Sequence, residues 1–160
     1  MRALIQRVTR ARCTVLGRVT GEIGVGLVAL VGATHADTAA DAAWLAKKIS
    51  SLRVFADGEQ LMNRDVAAAG GAVLAIPQFT LYGDARRGRR PEFLAAARPE
   101  QAEPLYEQFC TALAQFGVQV ARGVFRAHME VELVNDGPIT LMIESPVAAP
   151  PHAQVRADAG

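Results

Sequence analysis

Cysteine, tryptophan and long apolar runs are all scarce in this chain, and each scarcity excludes something. Of 160 residues only two are cysteine, Cys13 and Cys110. Neither has a redox-type or metal-type neighbour, so a disulfide scaffold is excluded. Both read as small buried hydrophobes of a reducing compartment. The longest apolar stretch, Gly24–Ala33, is far short of the ~20 residues a membrane-spanning helix needs. Arg7 interrupts the opening segment before a secretory apolar region forms, so the chain reads as cytoplasmic, with no membrane partner. Excess charge of one sign is missing too. Seventeen basic residues against 16 acidic leave +1, which excludes a uniformly basic nucleic-acid coat.

What is present is the material of one globular domain. Hydrophobic residues make up 51% and charged ones 21%, which excludes intrinsic disorder and allows a sizeable core. Among the basic residues, 15 are Arg and two are Lys. With so many Ala residues beside them, that bias reads as genome-wide composition. Residues 2–8 alternate apolar and polar as a strand with one wet face, and 15–19 read as a strand broken by a tight turn or bulge. Leu27–Gly32 is a continuous apolar run, expected to be a buried strand. Leu45, Ile49 and Leu52 are spaced for a helix over 37–51, with Asp37 or Thr38 as its cap.

Met62–Gly71 is polar and glycine-terminated, a loop by composition. Val73–Ile76 returns to buried strand, and Gly83–Arg90 is a loop carrying Arg86, Arg87, Arg89 and Arg90. A second helix is expected over 99–116, with Leu105, Phe109, Leu113 and Phe116 on its buried face and Gly117 as its stop. Met129, Val131 and Leu133, then Ile139, Leu141 and Ile143, alternate on either side of Asn135-Asp136-Gly137-Pro138. That pattern predicts an antiparallel pair joined by a turn. Residues 147–160 are proline-rich and aperiodic, a tail expected to be disordered, so the domain is placed at 1–146. The fold class expected is α+β, with a mainly antiparallel or mixed sheet, partly barrel-like, and two principal helices.

Several candidate motifs fail. Gly24-Val25-Gly26 sits before an apolar run and opens no helix, so it is not a dinucleotide-binding fingerprint. His35, His128 and His152 share no metal-ligand spacing, and no metal or other cofactor is expected. There is no Gly-x-Ser-x-Gly elbow and no Walker phosphate loop.

Two segments remain. Pro77-Gln78-Phe79-Thr80-Leu81 ends a buried strand with an amide, an aromatic ring and a hydroxyl, and Asn135-Asp136-Gly137-Pro138-Ile139-Thr140 carries a Gly-Pro bond. Each alone has an ordinary structural reading. Together they resemble the D-aminoacyl-tRNA deacylase family, whose usual signatures are Ser-Gln-Phe-Thr-Leu and Asn-x-Gly-Pro-x-Thr. The similarity runs from Met1 to about Ser145 and includes Arg2–Val8, Leu52–Phe55, Met62-Asn63 and Gly88–Pro91.

The resemblance implies hydrolysis of the ester that joins a D-amino acid, or mischarged glycine, to the 3′ end of tRNA. It implies a homodimer in which Gly137 and Pro138 of one subunit, held by Arg7, enter the partner's site as a chirality filter. Gln78, Phe79 and Thr80 would form the opposite, catalytic wall. It further implies that the terminal 2′-hydroxyl of the tRNA assists the attacking water. No base adjoins Thr80 in sequence, so Thr80 is read as a positioning group and not as a nucleophile. Arg86, Arg87 and Arg89 are the candidates for docking tRNA phosphates. No DNA partner is expected.

Three positions depart from the family pattern. Pro77 replaces the usual Ser, and Arg126 and His128 stand where Gly and Asp are typical. A related animal branch also has Pro at position 77, and it admits some L-aminoacyl esters through a trans Gly-Pro bond. Two alternatives therefore stay open: a deacylase of relaxed specificity, and a non-catalytic RNA-binding dimer module that keeps the fold.

Overall fold

A computed structural model describes residues 1–146; the tail expected at 147–160 lies outside the described residues. The chain opens with a long hairpin. Strand β1 (Arg2–Val15) turns through Leu16 and Gly17 into β2 (Arg18–Ile23). Both turn residues have positive φ, +49° and +75°, the geometry of a two-residue turn that matches strand twist. Leu16 is accordingly 96% exposed. β1 is thus a 14-residue strand rather than the short one expected over 2–8.

β3 (Gly26–Gly32) pairs antiparallel with β1, and β6 (Ala72–Pro77) then pairs parallel with β3. α1 (Ala39–Ser50) and the small ribbon of β4 (Phe55–Ala56) and β5 (Met62–Arg64) make that crossover. The segment expected to be a plain loop over 62–71 therefore begins with three residues of strand. α2 (Pro99–Gln115) makes the second crossover, to β7 (Gln119–Arg122), which is parallel to β6. The main sheet runs β2-β1-β3-β6-β7, with β8 (Glu130–Glu144) on β1. A Cβ on Gly21 of β2 would meet the Arg122 carbonyl oxygen of β7 at 2.9 Å, so the two ends of the sheet approach and the sheet is nearly closed. The α+β, mixed and barrel-like expectation agrees with this architecture.

Near-closure produces two cores, and this explains the continuous apolar runs. Val28, Leu74 and Ile76 point into the barrel with Val8, Ala11, Cys13 and Ile23. Their strand neighbours Leu27, Ala29, Val73 and Ala75 face the helices. β3 and β6 are buried on both faces, so neither shows alternation. Helix α1 contributes Ala42, Leu45, Ala46 and Ile49. Its N-cap Thr38 N–H donates to Asp41 Oδ2 at 2.9 Å, the returning half of a capping box. Helix α2 contributes Leu105, Tyr106, Phe109, Cys110 and Leu113. Phe116, expected on that face, is the C-cap residue and 46% exposed.

The expected hairpin over 129–143 is corrected. β8 is one continuous strand, and both of its halves pair antiparallel with β1. Gln6 faces Thr140 and Val8 faces Asn135, so a single residue of β1, Arg7, stands opposite residues 136–139. The chain does not reverse there; it bulges outward and continues in the same direction. Asn135 closes the base of the excursion, donating from Nδ2 to the carbonyls of Arg7 at 2.8 Å and Ile139 at 3.1 Å. The reason is the length of β1: with 14 residues it holds both halves of β8, whereas a hairpin would leave one half unpaired. Ile139 and Ile143 are buried while Leu141, expected with them, is exposed.

At Gly26 β3 and β6 approach so closely that a Cβ there would lie 1.9 Å from the Ala72 carbonyl oxygen. Gly26→Ala is expected to cost about 3 kcal/mol by forcing the parallel pair apart. Gly24→Ala, with nothing within 4 Å, is expected to change stability by less than about 1 kcal/mol. Urea denaturation of the two variants makes the comparison.

Candidate active site

β6 delivers Pro77 at its end, where the chain passes through Gln78 into a 3-10 helix, Phe79–Tyr82. The strand is held in place by its neighbour: the Gln78 N–H donates to the Val31 carbonyl at 2.7 Å. Gly32 permits this turn, because a Cβ there would lie 2.9 Å from the Gln78 carbonyl oxygen. Gln78 Nε2 donates to Thr80 Oγ1. With that lone pair engaged, the threonine hydroxyl hydrogen is free to donate outward. No backbone acceptor takes the N–H of Phe79 or Thr80 among the described residues, as the start of a helical turn dictates.

Phe79 is 55% exposed and meets the Phe93 ring edge-on, with centroids 5.2 Å apart. The two rings stand at the wall of a cavity of about 430 Å³, to which Pro77 and Gln78 also contribute. The lining continues through the 93–102 segment, Phe125 and Arg126. That segment is tied back to the sheet: Ala97 N–H donates to Ala33 O at 2.9 Å and Thr34 Oγ1 to Ala95 O at 2.6 Å. Phe93, Arg98 and Phe125 were not marked by the sequence, because only the fold brings them to the end of β6. Arg126 was visible as a departure from the family pattern, and its φ of +61° explains why glycine suits the position.

The cavity wall holds no carboxylate and no histidine among the described residues. Tyr106 also lines the cavity, from a largely buried position, and its hydroxyl donates to the Ala75 carbonyl at 3.0 Å. Burial pushes its hydroxyl far above the ordinary phenol range, so it stays protonated. Burial also pushes the nearby Cys110 thiol up to about 11, which keeps it inert. No cluster of three or more His, Cys, Asp or Glu side chains able to hold a metal occurs among the described residues.

The second predicted segment forms a separate feature. The Gly137–Pro138 peptide is cis, at the outer edge of the excursion in β8. Arg7 braces it from beneath. Its Nε contacts the Asp136 carboxylate at 2.8 Å and the Asp136 carbonyl at 3.2 Å, and Nη2 donates to Gly137 O at 3.2 Å. Nη1 donates to the Val54 carbonyl. Gly137 is exposed, and a Cβ there would meet nothing within 4 Å.

Within one chain, the fold keeps these two features apart. Gln78 is hydrogen-bonded to Val31, which pairs with Ala3, whereas Gly137 lies opposite Arg7. The separation is four residues along β1, about 13 Å, and three strand spacings across the sheet, about 14 Å. Thr80, Arg7, Gly137 and Pro138 do not line the cavity that Pro77, Gln78 and Phe79 line.

The arginine-rich loop follows the 3-10 helix directly. Arg86 is already engaged by Asp84, with Nε 2.9 Å from each carboxylate oxygen. No ion pair is formed by Arg87, Arg89 or Arg90 among the described residues. Asp84 and Glu92 are bridged through their backbones, which anchors the loop beside Phe93.

Comparison with known proteins identifies what this arrangement is similar to. A family model described as D-Tyr-tRNA(Tyr) deacylase matches residues 4–144. A D-aminoacyl-tRNA deacylase of Symbiobacterium thermophilum is 59% identical over 145 residues, which is 91% of this chain and 96% of that one. A second, from Thermus aquaticus, is 58% identical over 145 residues, 91% of this chain and 95% of its own length. Among solved structures, a c-Myc DNA unwinding element binding protein superimposes with a TM-score of 0.84 at 37% identity. That match covers 91% of this chain and 99% of the other. Among the described residues no helix is long and apolar enough to cross a membrane.

The Arg86 hydrogen bonds hold the Asp84 carboxyl down to about 2. The pair is present above the ordinary carboxylate range and is lost as the pH falls through about 2. An NMR titration is expected to show Asp84 ionised at pH 3 and its midpoint rising in Arg86→Ala toward the ordinary value of about 3.9 without reaching it, because the backbone N–H of residue 86 still donates to the carboxylate.

Proposed function

The chain belongs to the D-Tyr-tRNA(Tyr) deacylase family, and from that membership we propose that it hydrolyses the ester of D-aminoacyl-tRNA and of mischarged glycyl-tRNA. The products are free amino acid and tRNA, and the reaction is a cytoplasmic proofreading step that calls on no cofactor. The observation that carries the reading is Gly137. It has no positive φ, and a Cβ there would touch nothing in its own chain. Neither backbone conformation nor packing within the chain requires a glycine there. Gly24 and Gly58 share that freedom, and what sets Gly137 apart is that Arg7 holds it by its carbonyl at the exposed edge of β8, presented outward for a partner.

A partner's active site receives that edge. In a homodimer, Gly137 and Pro138 of one subunit enter the cavity beside Gln78 and Phe79 of the other, and the distance between the two features within one chain supports this arrangement. A side-chain pocket discriminates by only ~1–3 kcal/mol per methylene. A rigid backbone wall acts differently: it collides with any L side chain, passes glycine, and leaves a D side chain directed outward. Arg7 supplies the rigidity by engaging both Asp136 and Gly137.

The chemistry follows from what the cavity wall contains. With no carboxylate or histidine there, the attacking water takes its orientation from the tRNA's own 2′-hydroxyl. The N–H groups of Phe79 and Thr80 stabilise the carbonyl oxygen as negative charge develops on it. Thr80, accepting from Gln78, donates its hydroxyl hydrogen to the substrate and positions it. Arg87 and Arg89, together with the Asp84-paired Arg86, meet the tRNA phosphates.

Pro77 supports a second reading, a relaxed filter. It lines the cavity and lacks both the N–H and the hydroxyl that serine offers at this position.

Purified protein given D-tyrosyl-, L-tyrosyl- and glycyl-tRNA is expected to cleave the first and third and spare the second. Cleavage of the L ester as well would favour the relaxed filter. Survival of all three esters with tRNA bound would favour the non-catalytic module. In the same assay Gly137→Ala is expected to melt like the parent yet lose about 100-fold in D-tyrosyl-tRNA hydrolysis. Thr80→Ala is expected to lose at least about 10-fold in rate. Mass spectrometry of the parent protein during turnover is expected to detect no acyl adduct; an acylated Thr80 would contradict the positioning role.

A further inference from the structure

Two residues in the cavity wall occupy backbone positions that favour something else. Arg126 has a φ of +61°, a left-handed conformation in which a Cβ is unfavourable and glycine is the ordinary occupant. Arg98 is the N-cap of α2 and makes no side-chain capping hydrogen bond. That position favours Ser, Thr, Asp or Asn, whose side-chain oxygens accept from the first-turn N–H groups. A cation there also faces the positive end of the helix dipole. Both choices work against local stability, and both side chains line the same cavity.

Their electrostatic setting is as unusual as their backbone positions. Neither arginine forms an ion pair among the described residues. The described residues that share the cavity with them include no Asp or Glu. Both are exposed, at the rim rather than in the depth of the cavity. Two like charges on the lining of one cavity without a counter-ion, each at a locally unfavourable position, form an arrangement that a bound anion would complete. Local rules broken in concert at one cavity are a mark of function.

We propose that Arg98 and Arg126 form a phosphate subsite for the 3′ end of an RNA, holding the phosphodiester next to the terminal nucleoside. The inference rests on the reading of this cavity as the aminoacyl-ester site. The ester then lies at Gln78 and Phe79, and the ribose that carries it is linked through its 5′ oxygen to the first phosphate. A cavity of about 430 Å³ takes the aminoacyl group and the nucleoside, with Phe93 and Phe125 offering ring faces. The phosphate falls at the rim, where the guanidiniums stand. Guanidinium suits a phosphodiester because it is planar, permanently charged, and presents two parallel N–H donors to two phosphate oxygens. The subsite acts on binding, separately from the loop that carries Arg86–Arg90.

The test is the affinity of a 5′-fluorescein-labelled RNA hexamer ending in CCA, measured across a salt series. Wild type, Arg98→Ser, Arg126→Gly and the double variant are compared. The double variant is expected to bind about 10-fold more weakly at 0.1 M salt, and its log Kd against log salt slope is expected to fall by about 0.7 for each arginine removed. Both single variants are expected to melt at or above the wild-type temperature, because serine and glycine suit those backbone positions. Unchanged affinity and slope in the double variant, or no hexamer binding by wild type, would overturn the subsite. D-tyrosyl-tRNA hydrolysis by wild type reports separately on the parent reading. Hydrolysis with arginine-independent hexamer binding removes only the subsite. Arginine-dependent binding without hydrolysis removes only the deacylase.

Discussion

Arg7 is the side chain on which the presentation of the Gly137–Pro138 segment depends. Each of its guanidinium nitrogens is engaged, by the Asp136 carboxylate and carbonyl, by Gly137 O or by Val54 O. These acceptors come from the excursion in β8 and from the segment after α1, so one planar fork fixes two parts of the surface that are far apart in sequence. A lysine, with one charged point and no fork, cannot reproduce this. The excursion exists at all because β1 is long enough to pair with β8 on both sides of it. The four residues opposite Arg7 then have nowhere to go but outward.

The near-closure of the sheet places the other half of the arrangement. Burial of β3 and β6 on both faces leaves little freedom to the backbone that ends at Pro77, so Gln78, Phe79 and Thr80 emerge from a rigid base. The rest of the apolar lining is carried by the 93–102 segment and fastened to Ala33 and Thr34. One chain thus presents a fixed cavity in one place and a fixed backbone protrusion in another. In the proposed dimer these are the two halves of one site, and the rigidity of each is what makes a steric filter selective. A mobile wall would yield to an L side chain.

Much of this was legible in the sequence, where the relevant physics is local. The Gln78-Phe79-Thr80 triplet stood out because it ends a run of buried residues, and α1 announced itself through spacing and its Thr38 cap. The α2 face was right except at Phe116, where the helix ends a residue early and the ring turns to solvent. The hairpin expected at Asn135–Pro138 failed for a different reason. Asn-Asp-Gly-Pro is a genuine turn signal, but whether the chain reverses depends on how far β1 extends, which those residues do not encode. The lining residues Phe93, Arg98 and Phe125 were illegible because only tertiary docking of α2 brings them to the end of β6. Arg126 was the exception, flagged by its departure from the family's glycine before its backbone conformation gave the reason.

The claim that the two halves of the site belong to different chains is tested most directly by subunit mixing. A chain carrying Thr80→Ala is combined with a chain carrying Gly137→Ala, and the mixed dimer is isolated with two affinity tags. If the Gly-Pro segment acts across subunits, one of the two sites pairs an intact Thr80 with an intact Gly137, and D-tyrosyl-tRNA hydrolysis returns to about half the wild-type rate. If the segment serves its own chain, every site retains one defect, and the mixed dimer is as inactive as its parents.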